Sequence, residues 1–86
     1  MQIEFDEAKR AKTLQERGLD FGEAGAVFAT ATVTFADTRA DYGEERFNTI
    51  GFLHGRMVVV AWTPRGAARR IISMRKANER EQARYG

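Results

Sequence analysis

The residues best suited to chemistry are the arginines of the last third of the chain, Arg65, Arg69, Arg70 and Arg75. Ser73, Lys76 and Tyr85 lie among or just after them, and Glu45, Arg46 and Thr63 lie upstream. A guanidinium presents a rigid fork of donors that engages two phosphate oxygens at once, whereas lysine offers only a point charge. Eleven of the fourteen basic residues are arginine, a bias that solubility alone does not require. Their distribution is uneven: residues 1–55 hold six Lys/Arg against ten Asp/Glu, and residues 56–86 hold eight against two. The net charge of +2 therefore conceals halves of −4 and +6. An anionic partner is expected, with RNA foremost; a basic surface serving only solubility is the competing reading.

Cleavage of RNA by its own 2′-hydroxyl needs a base for that proton, cationic or donor groups for the charge on the phosphorane, and an acid for the departing oxygen. It needs no metal. The single histidine, His54, falls in a turn, which excludes a two-histidine mechanism. The base then falls to Glu45, Glu79, Lys76 or Tyr85, each requiring a shifted pKa. Every candidate also has a structural reading. Arg46 can pair with Glu44 or Glu45 on the surface, worth about 0–1 kcal/mol. Ser73 can cap a helix, Tyr85 can pack on Met74 or Ala77, Trp62 suits a core, and Lys9 can be a solvated helix residue.

Several classes are set aside. There is no glycine-rich phosphate loop, and no Ser-His-Asp set forms around His54 with any specificity. The chain has no cysteine, so neither a disulfide framework nor a sulfur-ligated zinc site is available, and no metal or other cofactor is expected. No segment approaches the ~20 apolar residues of a membrane span, and Met1-Gln2-Ile3-Glu4 does not resemble a signal peptide. A reducing, cytoplasmic setting is expected.

Eighty-six residues suffice for one core, hence one domain over residues 1–86. Ile3-Glu4-Phe5 reads as a short strand, and Asp6 as the N-cap of a helix carrying Ala8, Ala11 and Leu14, closed by Gly18. Asp20-Phe21-Gly22-Glu23 has a capping-box pattern and opens a second helix with Phe21, Ala24, Val27 and Phe28 on one face. Thr32-Val33-Thr34-Phe35 reads as a strand, followed by a polar, mobile loop from Asp37 to Glu45. Segments 46–52 and 56–63 read as a hairpin through His54-Gly55, with the second strand central because Met57 to Trp62 is apolar on both faces. Pro64-Arg65-Gly66 supplies a turn, 69–74 a last strand, and Ser73 the cap of a C-terminal helix running through Arg84, whose weak apolar stripe is supported either by pairs such as Arg75 with Glu79 or by a partner. The fold class is α+β: two N-terminal helices on a mainly antiparallel sheet of about four strands, with a C-terminal helix. Regular alternation places Arg69, Ile71, Ser73 and Arg75 on one face of the last strand and Arg70, Ile72 and Met74 on the other. Thr63 and Arg65 lie beside the first set, so that several guanidinium groups line an open sheet surface and grip successive phosphates.

Phe5-Asp6-Glu7-Ala8-Lys9, the run from Gly18 through Phe21-Gly22-Glu23-Ala24 to Val27-Phe28, Gly43-Glu44-Glu45-Arg46, Thr63-Pro64-Arg65-Gly66 and above all Arg70-Ile71-Ile72-Ser73-Met74-Arg75-Lys76-Ala77 with Tyr85 together resemble the BrnT family. These are ribonuclease toxins of type II toxin-antitoxin pairs, and the likeness spans essentially the whole chain. The resemblance implies a RelE-like fold, metal-independent cleavage of RNA that inhibits translation, and neutralisation by a BrnA-type antitoxin, a ribbon-helix-helix protein. Operator DNA would be bound only through that complex. Carried over by position, Arg46, Arg65, Arg70, Ser73, Arg75, Lys76 and Tyr85 fall on motif positions, the first three arginines fitting phosphate binding. The first helix departs from the pattern, with Thr13 where Asn is expected and Glu16-Arg17-Gly18 where Lys-His-Gly is expected. The alternatives are a non-catalytic nucleic-acid-binding module using the same patch, and an interaction subunit whose charged last helix docks on an acidic partner.

Overall fold

The computed structural model describes residues 1–31 and 33–86. Its elements are β1 (Gln2–Glu4), α1 (Glu7–Arg17), a 3-10 turn (Phe21–Glu23) leading into α2 (Ala24–Ala29), β2 (Val33–Ala36), β3 (Phe47–Leu53), β4 (Arg56–Arg65), β5 (Ala68–Lys76) and α3 (Glu79–Tyr85). The five strands form one sheet in the order β1-β5-β4-β3-β2. All pairings are antiparallel except β1 with β5, which is parallel. The α+β class and the mainly antiparallel sheet are as expected, but there are five strands rather than about four. The expected strand start at Thr32 lies outside the described residues.

Strand β4 is apolar on both faces because both are covered at its Arg56 end. Val58, Val60 and Trp62 pack with Leu53, Ile71 and Met74 against Leu19, Phe21, Ala24, Val27 and Phe28 of the helical layer. Met57 and Val59 point the other way and join Ile50 and Ala77, with Val33, Phe52 and Tyr85 at the margin. On the helical side Trp62 stacks on Phe47 at 5.0 Å and meets Phe28 edge-on at 5.8 Å. Its indole N–H donates to buried Thr49 at 2.9 Å, so the polar end of the ring is satisfied within the core. Gly51 lies where α2 crosses β3: a Cβ there would overlap the Val27 carbonyl, so only glycine permits this approach.

The second helix buries Phe21, Ala24, Val27 and Phe28, as its periodicity requires. The first behaves differently. Asp6 caps it and Gly18 closes it at φ 70°, yet none of its residues is buried and Leu14 remains 42% exposed. Polar ties hold it instead: Arg10 grips Asp20 at 2.7 and 3.0 Å, and Arg17 donates to the Met74 carbonyl of β5 at 2.7 Å. The capping box at Asp20 is half formed. Asp20 accepts from the Gly22 N–H, while Glu23 turns to His54 Nε2 at 2.9 Å.

One turn is as expected and two boundaries differ from expectation. The His54-Gly55 turn forms with positive φ at both residues, 52° and 76°, as a tight hairpin demands. The next turn comes later than expected, at Gly66-Ala67, with Pro64 and Arg65 still paired to β5. Strand β5 likewise runs on to Lys76, so Ser73 is not a helix cap; Asn78 is, in a complete capping box with Glu81. The loop between β2 and β3 is anchored rather than loose. The Asp37 N–H donates to the Arg46 carbonyl at 2.8 Å, and the Asp37 carboxylate, nearly buried, is clamped by Arg39.

Candidate active site

A β-bulge in β5 decides which arginines share a surface. Ala61 pairs with Ser73 and Trp62 with Ile71, leaving Ile72 without a partner. One extra residue inverts the alternation beyond it. Arg69 and Ile71 therefore face the helices, together with Met74 on the other side of the bulge, while Arg70, Ser73 and Arg75 share the opposite face with Thr63 and Arg65 of β4. The regular alternation expected from the sequence is thus corrected: Arg69 leaves the open face and Arg70 joins it. Arg69 is spent structurally, half-buried with its guanidinium 4.5 Å from both the Phe28 and the Trp62 ring, a cation–π contact with each.

The open face carries α3 over its Val59 end. Beside that helix lies a cleft of about 290 Å³ lined by Phe35, Arg39, Asn48, Ser73, Arg75 and Glu81, among others. Arg75 donates both terminal nitrogens to the two Glu81 oxygens at 2.7 Å each. Arg75 is 44% exposed and Glu81 18%. This pair, rather than Arg75 with Glu79, ties α3 to the sheet. The hydrogen bonds from Arg75 lower the Glu81 carboxyl below the usual carboxylate range, helped by the Asn78 N–H and opposed by burial. The Arg75 guanidinium is raised by the same contact, while the positive charge of nearby Arg39 acts against it. Arg39 itself holds Asp37 well below its ordinary value through hydrogen bonds and charge.

Along the same face toward the β4–β5 turn stand Thr63, Arg70 and Arg65. The Thr63 hydroxyl donates to the Glu45 carbonyl at 2.6 Å, a bond that anchors the loop to β4. Arg70 lies 3.8 Å from Glu4 of the parallel edge strand. Arg65 makes no side-chain hydrogen bond or ion pair among the described residues and is exposed at the strand end.

The remaining candidates lie apart from the cleft. Lys76 pairs with Val58 and so points to the helical side, where it borders a concavity with Arg17, His54 and Arg56. Arg46 stays in its loop, 3.9 Å over the Tyr42 ring and 3.1 Å from Glu44. Glu45 lines a separate concavity on that loop. Tyr85 packs on the apolar cluster that contains Ala77, and Glu79 is exposed at the start of α3. Phe35, Arg39, Asn48 and Glu81 carry no sequence signal of their own. The one available hint is that Val33 and Phe35 alternate with Thr34, which sets both aromatic and aliphatic groups on the face away from the Thr34–Thr49 hydrogen bond.

Among the described residues no group of three or more His, Asp or Glu side chains is gathered as a metal centre, and no helix is long and apolar enough to cross a membrane. No curated protein matches the chain. The family of the ribonuclease toxin BrnT, of type II toxin-antitoxin systems, matches residues 5–81, and the chain belongs to that family.

Proposed function

We propose, on the premise of BrnT membership, that this chain is an endoribonuclease toxin that cuts single-stranded RNA on the open sheet face and thereby inhibits translation. A type II system pairs its toxin with a protein antitoxin; here we propose a BrnA-type ribbon-helix-helix partner that covers the same face and binds operator DNA in the complex. The family resemblance implies a RelE-like fold; here α1 and α2 cover one side of the sheet, and the arginine-lined face, with α3 over one end of it, is the other.

The observation that carries the reading is the alignment of Arg65, Arg70 and Arg75 on one open face with the Arg75–Glu81 pair at its covered end. Arg65 and Arg70 bind the RNA backbone as successive phosphates. Arg75 receives the scissile phosphate and stabilises the charge that builds on its equatorial oxygens, the position where preorganised donors contribute most. Glu81 is the proton acceptor for the 2′-hydroxyl. In the free protein its charge is neutralised by Arg75. When a phosphate takes the guanidinium, the carboxylate loses hydrogen bonds and gains an anionic neighbour, and both changes raise its pKa toward the range of a useful base. The 2′-oxygen then attacks the phosphorus as Glu81 takes its proton, the bond from phosphorus to the 5′-oxygen breaks, and that oxygen takes a proton from water, leaving a 2′,3′-cyclic phosphate and a 5′-hydroxyl. The lone pair that takes the proton is that of Glu81 and the charge on the phosphorane is met by Arg75, so the proposed step calls on no metal.

Expression of the free protein should arrest growth and degrade RNA. Arg75→Ala and Arg65→Ala should relieve both while leaving the circular dichroism spectrum intact, with the thermal midpoint of Arg75→Ala lowered by the loss of its pair with Glu81. Undiminished toxicity in both variants would exclude this site.

A further inference from the structure

The cleft beside Arg75 contains more than phosphate chemistry requires. Phe35 is 40% exposed on the sheet face, opposite Asn48 on β3. Asn48 is opposite Ala61 of the central strand, and Ala61 is opposite Ser73. One row across the sheet thus reads aromatic, amide, methyl, hydroxyl. With strands roughly 4.8 Å apart, the row spans on the order of 14 Å. The small Ala61 leaves a shallow floor between taller neighbours. Neither the Asn48 amide nor the Ser73 hydroxyl has an intramolecular hydrogen-bond partner among the described residues, although both line the same 290 Å³ cleft.

An exposed aromatic ring, an amide with free donors and acceptor, and a free hydroxyl describe a site for a flat heteroaromatic group with polar edges. Arg39 and Arg75 stand at its rim, each paired with a carboxylate that also lines the cleft, Asp37 and Glu81. The volume lies near the lower limit of about 300 Å³ for small-molecule sites, too small for a peptide helix and adequate for one base. We infer that Phe35, Asn48 and Ser73 form a nucleobase pocket that receives the unpaired base adjoining the phosphate held by Arg75. Phe35 supplies the stacking surface. Asn48 reads the base edge, because its amide can donate and accept side by side as base edges do. Stacking tolerates any base, so preference at the cut site comes from Asn48. The inference rests on the proposed ribonuclease reading and names the part of the substrate that the same site selects.

The test uses the purified chain and a short single-stranded 2′-O-methyl oligoribonucleotide, which cannot undergo 2′-attack, so that binding is read without cleavage. Phe35→Leu, which keeps an apolar side chain, should weaken binding by roughly 5- to 150-fold, the range of one base–aromatic stack. Replacing each nucleotide in turn by an abasic one should show a single position whose loss matches that of Phe35→Leu. At that position the abasic change should cost the variant nothing further. Asn48→Asp, which replaces the amide donor by an acceptor, should alter which bases flank the cuts in an unmodified RNA pool. Equal binding by wild type and Phe35→Leu, with an unchanged cut pattern in Asn48→Asp, overturns the pocket while leaving the ribonuclease reading standing. A wild-type chain that neither binds nor cuts RNA overturns both.

Discussion

Glu81→Gln should tighten RNA binding while suppressing cleavage. In the free protein Glu81 occupies both forks of Arg75, so any phosphate must first displace it. The two hydrogen bonds are short and charge-assisted, but Arg75 is 44% exposed, and water and salt reduce the pair to about 0.5–1 kcal/mol. Removing the competing charge should therefore raise affinity about two- to fivefold at low ionic strength, since 1.4 kcal/mol is tenfold. Glutamine is the right replacement because its amide oxygen can still accept from the Asn78 N–H, as Glu81 does at 2.9 Å, and so preserves the capping box. Fluorescence anisotropy with the non-cleavable oligomer measures the binding, and single-turnover cleavage of unmodified RNA measures the chemistry. The rate should fall by about 10²- to 10⁴-fold, the usual contribution of a general base. Weaker binding by a variant with an unchanged far-ultraviolet spectrum would refute the argument that Glu81 and phosphate compete for Arg75.

Salt dependence tests the backbone contacts. Three phosphates held by Arg65, Arg70 and Arg75 give a slope of log affinity against log salt of about −2, and Arg65→Ala or Arg75→Ala should each reduce it by about 0.7. Arg69→Ala should leave the slope unchanged but lower the thermal midpoint, because its guanidinium packs between Phe28 and Trp62. Gly51→Ala forces a methyl into the Val27 carbonyl and should cost about 1–3 kcal/mol or more in urea unfolding. Acid should also destabilise the fold. Asp20, through hydrogen bonds from Arg10 and the Gly22 N–H, and Glu81, through those from Arg75, both have carboxyls below their ordinary values. Their stabilisation is present above the unfolded-state pKa near ~4 and is lost as pH falls through the lower folded values, since the unfolded chain takes protons first. Urea midpoints measured from neutral pH down to about pH 3 should fall less steeply in Asp20→Asn than in wild type.

Much of this architecture is legible in the residues themselves. The spacing of Phe21, Ala24, Val27 and Phe28 defines a buried helix face, the apolar run from Met57 to Trp62 marks a central strand, and His54-Gly55 marks a tight turn, because each depends on contacts within a few residues. The arginine-rich third, and with it the expectation of an anionic partner, also follows from composition, since net charge does not depend on folding. What the chain does not reveal locally is which arginines act together. That depends on Ile72 having no partner opposite it, a property of the pairing between β4 and β5 rather than of either strand. The bulge moves Arg69 into a cation–π contact and brings Arg70 onto the face of Ser73 and Arg75. The same limit hides Glu81, which meets Arg75 only once α3 folds back over the sheet. Phe35 and Asn48 become a pocket only through register, because strands separated by a ten-residue loop must align before an aromatic ring on one can stand opposite an amide on the next. Local periodicity fixes elements, and it is the long-range pairing of strands that assigns side chains to a shared site.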